Sequence, residues 1–177
     1  MRFTQLKLAG AYLIEFEPHS DDRGYFARTF CTREFQDHGL DTAIAQCSTS
    51  FNRRRGTLRG MHYQTAPHEE IKVVRCTSGR VFDVIVDVRP HSPTFGRWHG
   101  VELSSDNHRL LYIPAGFAHG FQTLEDNSEL FYQISTEYVA SASQGVRWND
   151  PTVSISWPIT GDMTISERDA ALPGLQS

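Results

Sequence analysis

Two short stretches of the chain hold the residue types that proton transfer needs. The first is Arg59-Gly60-Met61-His62-Tyr63-Gln64. On an extended backbone His62 and Gln64 fall on one face, and Gly60 leaves space beside them. Imidazole takes up a proton near neutral pH; a hydrogen-bonded core histidine is the other reading of His62 taken alone. A little downstream, Lys72 interrupts the apolar run of Ile71, Val73 and Val74. A lysine so placed either faces solvent or is buried for a purpose. The second stretch runs from Ile113 to Phe121, where Pro114 and Gly116 make a corner and His119 follows. A histidine after such a corner is half of a common metal-binding arrangement, whose other half is an HxH pair joined by a carboxylate. Here that pair reads His62-Tyr63-Gln64, which leaves two histidines and the uncertain carboxylates Glu69 and Glu70. No metal is expected. Guanidinium groups fit phosphate oxygens in a fork. Arg23 and Arg59, beside glycine and aromatic residues at strand starts, are candidates for that role, whereas Arg53-Arg54-Arg55 reads as a solvated loop.

These side chains need a rigid frame. The 177 residues hold 39% apolar and 11% aromatic residues, enough for a real core in a single domain spanning 1–177. A net charge of −4 argues against a nucleic-acid partner. No apolar run is long enough to span a membrane, and the N-terminal residues lead into no apolar stretch of the secretory kind. Cys31, Cys47 and Cys76 form no CxxC pair, and an odd set of thiols fits the reducing cytoplasm. Period-two runs punctuated by Gly, Pro and Asn predict strands over Ala11–Phe16, Tyr25–Thr29, Thr57–Gln64, Ile71–Ser78, Arg80–Val88, Trp98–Leu103, Arg109–Ile113, Phe117–Leu124 and Ser128–Tyr138. Ser78-Gly79 reads as a hairpin turn. Helices are expected over Thr32–His38, ended by Gly39, and in a short turn capped by Ser166. So many strands with so little helix mean a β-sandwich or double-sheet barrel. In Arg80–Val88 the alternation sets Phe82, Val84, Val86 and Val88 on one face and Val81, Asp83, Ile85 and Asp87 on the other. Tyr132 shares a face with Leu130 and Ile134, which directs its phenol into the barrel.

Taken together, several stretches resemble the dTDP-4-dehydrorhamnose 3,5-epimerase family. They are Asp22-Arg23-Gly24-Tyr25-Phe26, Leu58–Gln64, Lys72-Val73-Val74-Arg75, Val81–Arg89 with Ser92–Gly96, Pro114–Phe121, and Trp148-Asn149-Asp150-Pro151 with Trp157-Pro158. They follow the family's order over nearly the whole chain. The resemblance implies an all-β, cupin-type double-stranded β-helix (jelly roll) with a few short helices. It also implies a homodimer that works without metal or other cofactor on a nucleotide-sugar substrate. By position, His62 matches the family's base and Asp169 the carboxylate beside it. Lys72 matches the lysine near the substrate ketone and Tyr132 the acid. Arg23, Arg59 and His119 match residues that hold the nucleotide and its phosphates, and Phe26, Gln46 and Asp83 match positions lining the site. Tyr138 is expected there too. Arg28, Ser48, Gln144 and Arg168 depart from the family's usual Glu, Asn, Glu and Lys in the part that grips the nucleotide.

The chemistry so implied has a physical logic. A proton beside a ketone is less acidic than imidazolium by roughly a dozen pKa units, about 16 kcal/mol at 1.36 per unit. A base alone cannot cover that gap. An ammonium at the ketone oxygen stabilises the enolate, a carboxylate orients the imidazole, and inversion needs a proton donor on the opposite face. His62, Lys72, Asp169 and Tyr132 are one of each. The expected function is therefore inversion of C3, C5 or both in a nucleotide-linked 4-dehydro-6-deoxy sugar. The alternatives are a C3-only or C5-only epimerase acting on another nucleotide sugar, a metal-dependent cupin enzyme, and a sugar-binding jelly roll without catalysis.

Overall fold

The alternating runs form thirteen strands and two short α-helices in the computed structural model, which describes residues 1–176. The strands are β1 (Arg2–Gln5), β2 (Tyr12–Glu15), β3 (His19–Asp21), β4 (Gly24–Phe26), β5 (Gln46–Asn52), β6 (Leu58–Gln64), β7 (Lys72–Ser78), β8 (Arg80–Asp87), β9 (Trp98–Ser104), β10 (Arg109–Ile113), β11 (Phe117–Thr123), β12 (Ser128–Ile134) and β13 (Ser143–Gly145). The helices are α1 (Thr32–Asp37) and α2 (Glu167–Ala170). One sheet has the order β1-β2-β10-β7-β12-β5, the second β13-β6-β11-β8-β9, and β3-β4 is a separate ribbon. The named strands pair antiparallel throughout, and the two large sheets face each other as a jelly roll.

Burial follows the alternation. Val81 and Ile85 of β8 meet Val74 and Cys76 of β7 and Leu130 of β12 between the sheets. The other face of β8, with Val84 and Val86, packs under the C-terminal segment that carries Val153 and Trp157. The outer face of the larger sheet is covered by α1, whose Phe35 is fully buried against Ile14, Leu110 and Tyr112. Burying one such phenylalanine is worth about 1.5–3 kcal/mol.

Some local expectations change. Ser78-Gly79 is not a hairpin turn. β7 pairs with β10 and β12 and β8 with β9 and β11, so Gly79, at φ 69°, turns the chain from one sheet to the other. β12 ends at Ile134 instead of Tyr138. There Ser135 and Ile71 exchange hydrogen bonds and the chain peels away. β5 has no apolar periodicity because one face lines a polar cavity and the other is mostly exposed. The helices stand where expected, with Gly39 at φ 70° just past α1 and the Ser166 hydroxyl accepting from the Asp169 amide at 3.1 Å.

One irregularity sets up the site. On β11, His119 pairs with His62 and Phe121 with Arg59, so Gly60 and Met61 of β6 stand opposite Gly120 alone. This bulge lets Arg59 and His62, three apart in sequence, both face the same cavity. It needs both glycines. A Cβ on Gly60 would lie 2.5 Å from the Gly120 Cα, and one on Gly120 would lie 2.6 Å from the Arg59 carbonyl oxygen.

Candidate active site

A cavity of about 490 Å³ opens between the sheets, a size that holds a small-molecule ligand. Gln46, Ser48 and Ser50 from β5, Lys72 from β7 and Tyr132 from β12 form the wall given by the larger sheet. Arg59, His62 and Gln64 from β6 and His119 from β11 form the facing wall. Ser166, Arg168 and Asp169 come from α2 and its cap.

His62 and Asp169 are joined although 107 residues separate them. The Nε2–H of His62 donates to Asp169 Oδ1 at 2.8 Å, and the Gly60 amide donates to Asp169 Oδ2 at 3.1 Å. A carboxylate only accepts, so Nε2 carries the hydrogen and Nδ1 is the basic nitrogen of His62. The C-terminal segment delivers Asp169 because it is tied down along its length. Leu58 donates to the Thr164 carbonyl at 2.8 Å, and Trp157 Nε1 donates to the Trp148 carbonyl at 2.9 Å. Asp150 accepts from the amides of Thr152, Val153 and Leu175. Burial pushes the His62 pKa below its ordinary value. Asp169 opposes that shift, while Lys72 and Arg168 add to it. The imidazole is thus a free base at neutral pH with a counter-charge ready for its protonated form.

On the opposite wall, burial and the charge of Asp83 hold the Tyr132 phenol well above its ordinary pKa, so it keeps its proton. Its ring stands edge-on to His119, with centroids 5.9 Å apart. His119 Nε2 donates to both oxygens of the fully buried Asp83, at 3.0 and 2.9 Å, so Asp83 acts from behind the cavity wall by fixing that imidazole. Lys72 is buried in the row that continues into Val74 and Cys76, with its ammonium 2.8 Å from the Glu70 carboxylate. Arg59 is oriented by Asn52 Oδ1 at 2.8 Å. Gln64 serves the fold: its amide donates to the carbonyls of His68 and Glu137 and accepts from the Val139 amide. Tyr138 borders the cavity, and the Ser143 hydroxyl, followed by Arg168, draws its phenol below its ordinary pKa.

Five of the expected substrate residues do not line this cavity, Asp83 behind His119 among them. Arg23 is on the exposed β3-β4 ribbon, paired with Asp21, and Phe26 beside it is 77% exposed. Arg28 pairs with Glu34 at 3.0 Å. Gln144 alternates outward on β13, and Ser143 faces the cavity in its place. Glu70, Ser50 and Ser143 border it without having been expected as substrate residues. Glu70 has the same parity as Lys72, the one signal that could have marked it.

A family model described as dTDP-4-dehydrorhamnose 3,5-epimerase matches residues 5–177. The chain belongs to this family. It is 41% identical over 175 residues to a dTDP-4-dehydrorhamnose 3,5-epimerase of Sinorhizobium fredii, a match covering 99% of this chain and 90% of that one. Its fold superposes with a TM-score of 0.95 on the crystal structure of the Bacillus anthracis dTDP-4-dehydrorhamnose 3,5-epimerase with TDP and pyrophosphate bound, at 37% identity over 98% of this chain and 99% of that one. A 3'-monoepimerase from Streptomyces bikiniensis in complex with dTDP-quinovose is similar at a TM-score of 0.90 and 36% identity, over 96% of this chain and 86% of that one. The chain is thus an isomerase of the epimerase class, with the jelly-roll fold of its relatives.

Proposed function

We propose that the chain inverts C3, C5 or both of dTDP-4-dehydro-6-deoxy-glucose, giving dTDP-4-dehydro-rhamnose when both invert. One observation carries the mechanism: His62 and Tyr132 reach the same cavity from opposite sheets. His62 Nδ1 removes the proton from the carbon beside the C4 ketone, and the electron pair moves onto the ketone oxygen. The Lys72 ammonium stabilises that enolate, and Asp169 stabilises the imidazolium. The Tyr132 phenol then gives its proton to the other face of the same carbon. Solvent reprotonates the phenolate and takes the proton from His62. Arg59, Arg168 and His119 hold the diphosphate, with Gln46 and Ser48 beside the nucleotide.

The working unit in this reading is a homodimer. Arg23, Phe26 and Arg28 match substrate-binding positions yet lie off their own chain's cavity, and Tyr25 and Phe26 are 55% and 77% exposed. A second copy can receive them. The reading places the domain, 1–177, in the cytoplasm on the strength of its unpaired cysteines. No helix among the described residues is long and apolar enough to cross a membrane.

The deciding test is incubation with dTDP-4-dehydro-6-deoxy-glucose in deuterated water. Deuterium entering C3, C5 or both, with inverted product, is the expected result, and NMR of the ring protons separates double from single epimerisation. A sugar recovered with neither label nor inversion would refute the assignment.

A further inference from the structure

Glu70 has no part in the proton transfers above, yet it is one of two ionised groups placed side by side in the cavity wall. Its carboxylate and the Lys72 ammonium are 2.8 Å apart, and each side chain is only 10% exposed. Among the described residues neither forms another ion pair or side-chain hydrogen bond. The backbone that carries Glu70 is pinned on both sides. Gln64 Nε2 donates to the His68 carbonyl at 3.1 Å, and the Ile71 amide donates to Ser135 Oγ at 2.9 Å while the Ser135 amide returns to the Ile71 carbonyl at 3.0 Å. A carboxylate carried on a pinned backbone therefore faces the free end of a flexible four-carbon side chain.

A carboxylate beside a developing enolate is unfavourable electrostatically, so its presence needs another explanation. A buried ammonium with no counter-charge is unfavourable and can adopt many rotamers. The Glu70 carboxylate at 2.8 Å supplies the counter-charge and a fixed point of attraction, while the ammonium keeps N–H donors for a ketone oxygen. We infer that Glu70 is a positioning residue, which acts on the reaction only by holding the Lys72 ammonium where the enolate oxygen forms. This rests on the proposed role of Lys72 at the ketone.

The test is a double-mutant cycle of Glu70→Gln and Lys72→Met, with kcat, KM and deuterium exchange measured on the dTDP sugar. Glu70→Gln lowers kcat by about 10- to 100-fold, the loss expected from misplacing a catalytic group by roughly 1 Å, and leaves KM within about twofold. Exchange and inversion fall together, because Lys72 acts before Tyr132. In the Lys72→Met background the same substitution has no further effect. Glu70→Asp keeps the charge one methylene further back and loses less than Glu70→Gln, which keeps the test open should the amide variant fold poorly. A rise in KM at unchanged kcat, or losses that multiply in the double variant, would show direct contact with the sugar or a purely structural role and overturn the inference. A wild type inert toward the sugar overturns the proposed function itself, and this role with it.

Discussion

Replacing Asp169 by asparagine separates two things the carboxylate does for His62. The two groups meet at 2.8 Å, where opposite unit charges attract by about 6 kcal/mol at an effective dielectric constant of ~20. The His62 side chain is 37% exposed, so water screens roughly half of this, leaving about 3 kcal/mol for the imidazolium. At 1.36 kcal/mol per decade that is a loss of about 10²-fold in kcat/KM. The asparagine oxygen still accepts from the Gly60 amide, so its NH₂ turns to His62 Nε2 and drives the ring to the other tautomer, which adds to the loss. The pH dependence moves the other way from a simple weakening. Burial, Lys72 and Arg168 already hold His62 below its ordinary pKa, and Asp169 pulls it up. Without that charge the pKa falls further, and the acid limb of kcat/KM shifts to lower pH while the plateau drops. Initial rates of inversion across the pH range, with circular dichroism to check the fold, measure both. A plateau near the wild-type value, or an acid limb displaced upward, would show that Asp169 does not serve as the counter-charge of His62.

Tyr132→Phe deletes only a hydroxyl from a ring packed beside Leu130 and Val74. Deuterium exchange should persist while inversion falls by about 10²–10⁴-fold, as read by mass spectrometry and NMR of recovered sugar; wild-type inversion would leave the tyrosine a core residue. Gly120→Ala puts a Cβ 2.6 Å from the Arg59 carbonyl and 2.6 Å from Met61 Sδ. Because the bulge places Arg59 and His62 together, affinity for dTDP, measured by calorimetry, and turnover should be lost together. Exhaustive chelation should leave turnover unchanged, since in the proposed mechanism side chains supply both the proton transfers and the enolate stabilisation; activity lost to chelator and restored by metal would refute that.

The sequence made the frame legible wherever one face of a strand is apolar. Arg80–Asp87 alternates cleanly, and its two faces are buried in two different clusters. β5 was not legible, because a strand with one face on a polar cavity and the other mostly exposed carries no period-two contrast. The pairing of β7 was misread for a related reason. A Ser-Gly dipeptide marks a turn but not whether the flanking strands hydrogen-bond to each other, and here the chain changes sheets. In the site, local spacing identified His62 and Lys72 as unusual, but their partners are of different kinds. Glu70 is two residues from Lys72 and could be read by parity. Asp169 is 107 residues from His62, and no periodicity reaches that far; only family resemblance joined them in advance. The alternation argument also needed a correction it could not supply. Strict period two puts Arg59 and His62 on opposite faces, and the bulge that brings both into the cavity depends on contact between Gly60 and Gly120. Each glycine is locally an ordinary loosening of a strand. Only their meeting across β6 and β11 turns the two into the reason His62 and Arg59 share one wall.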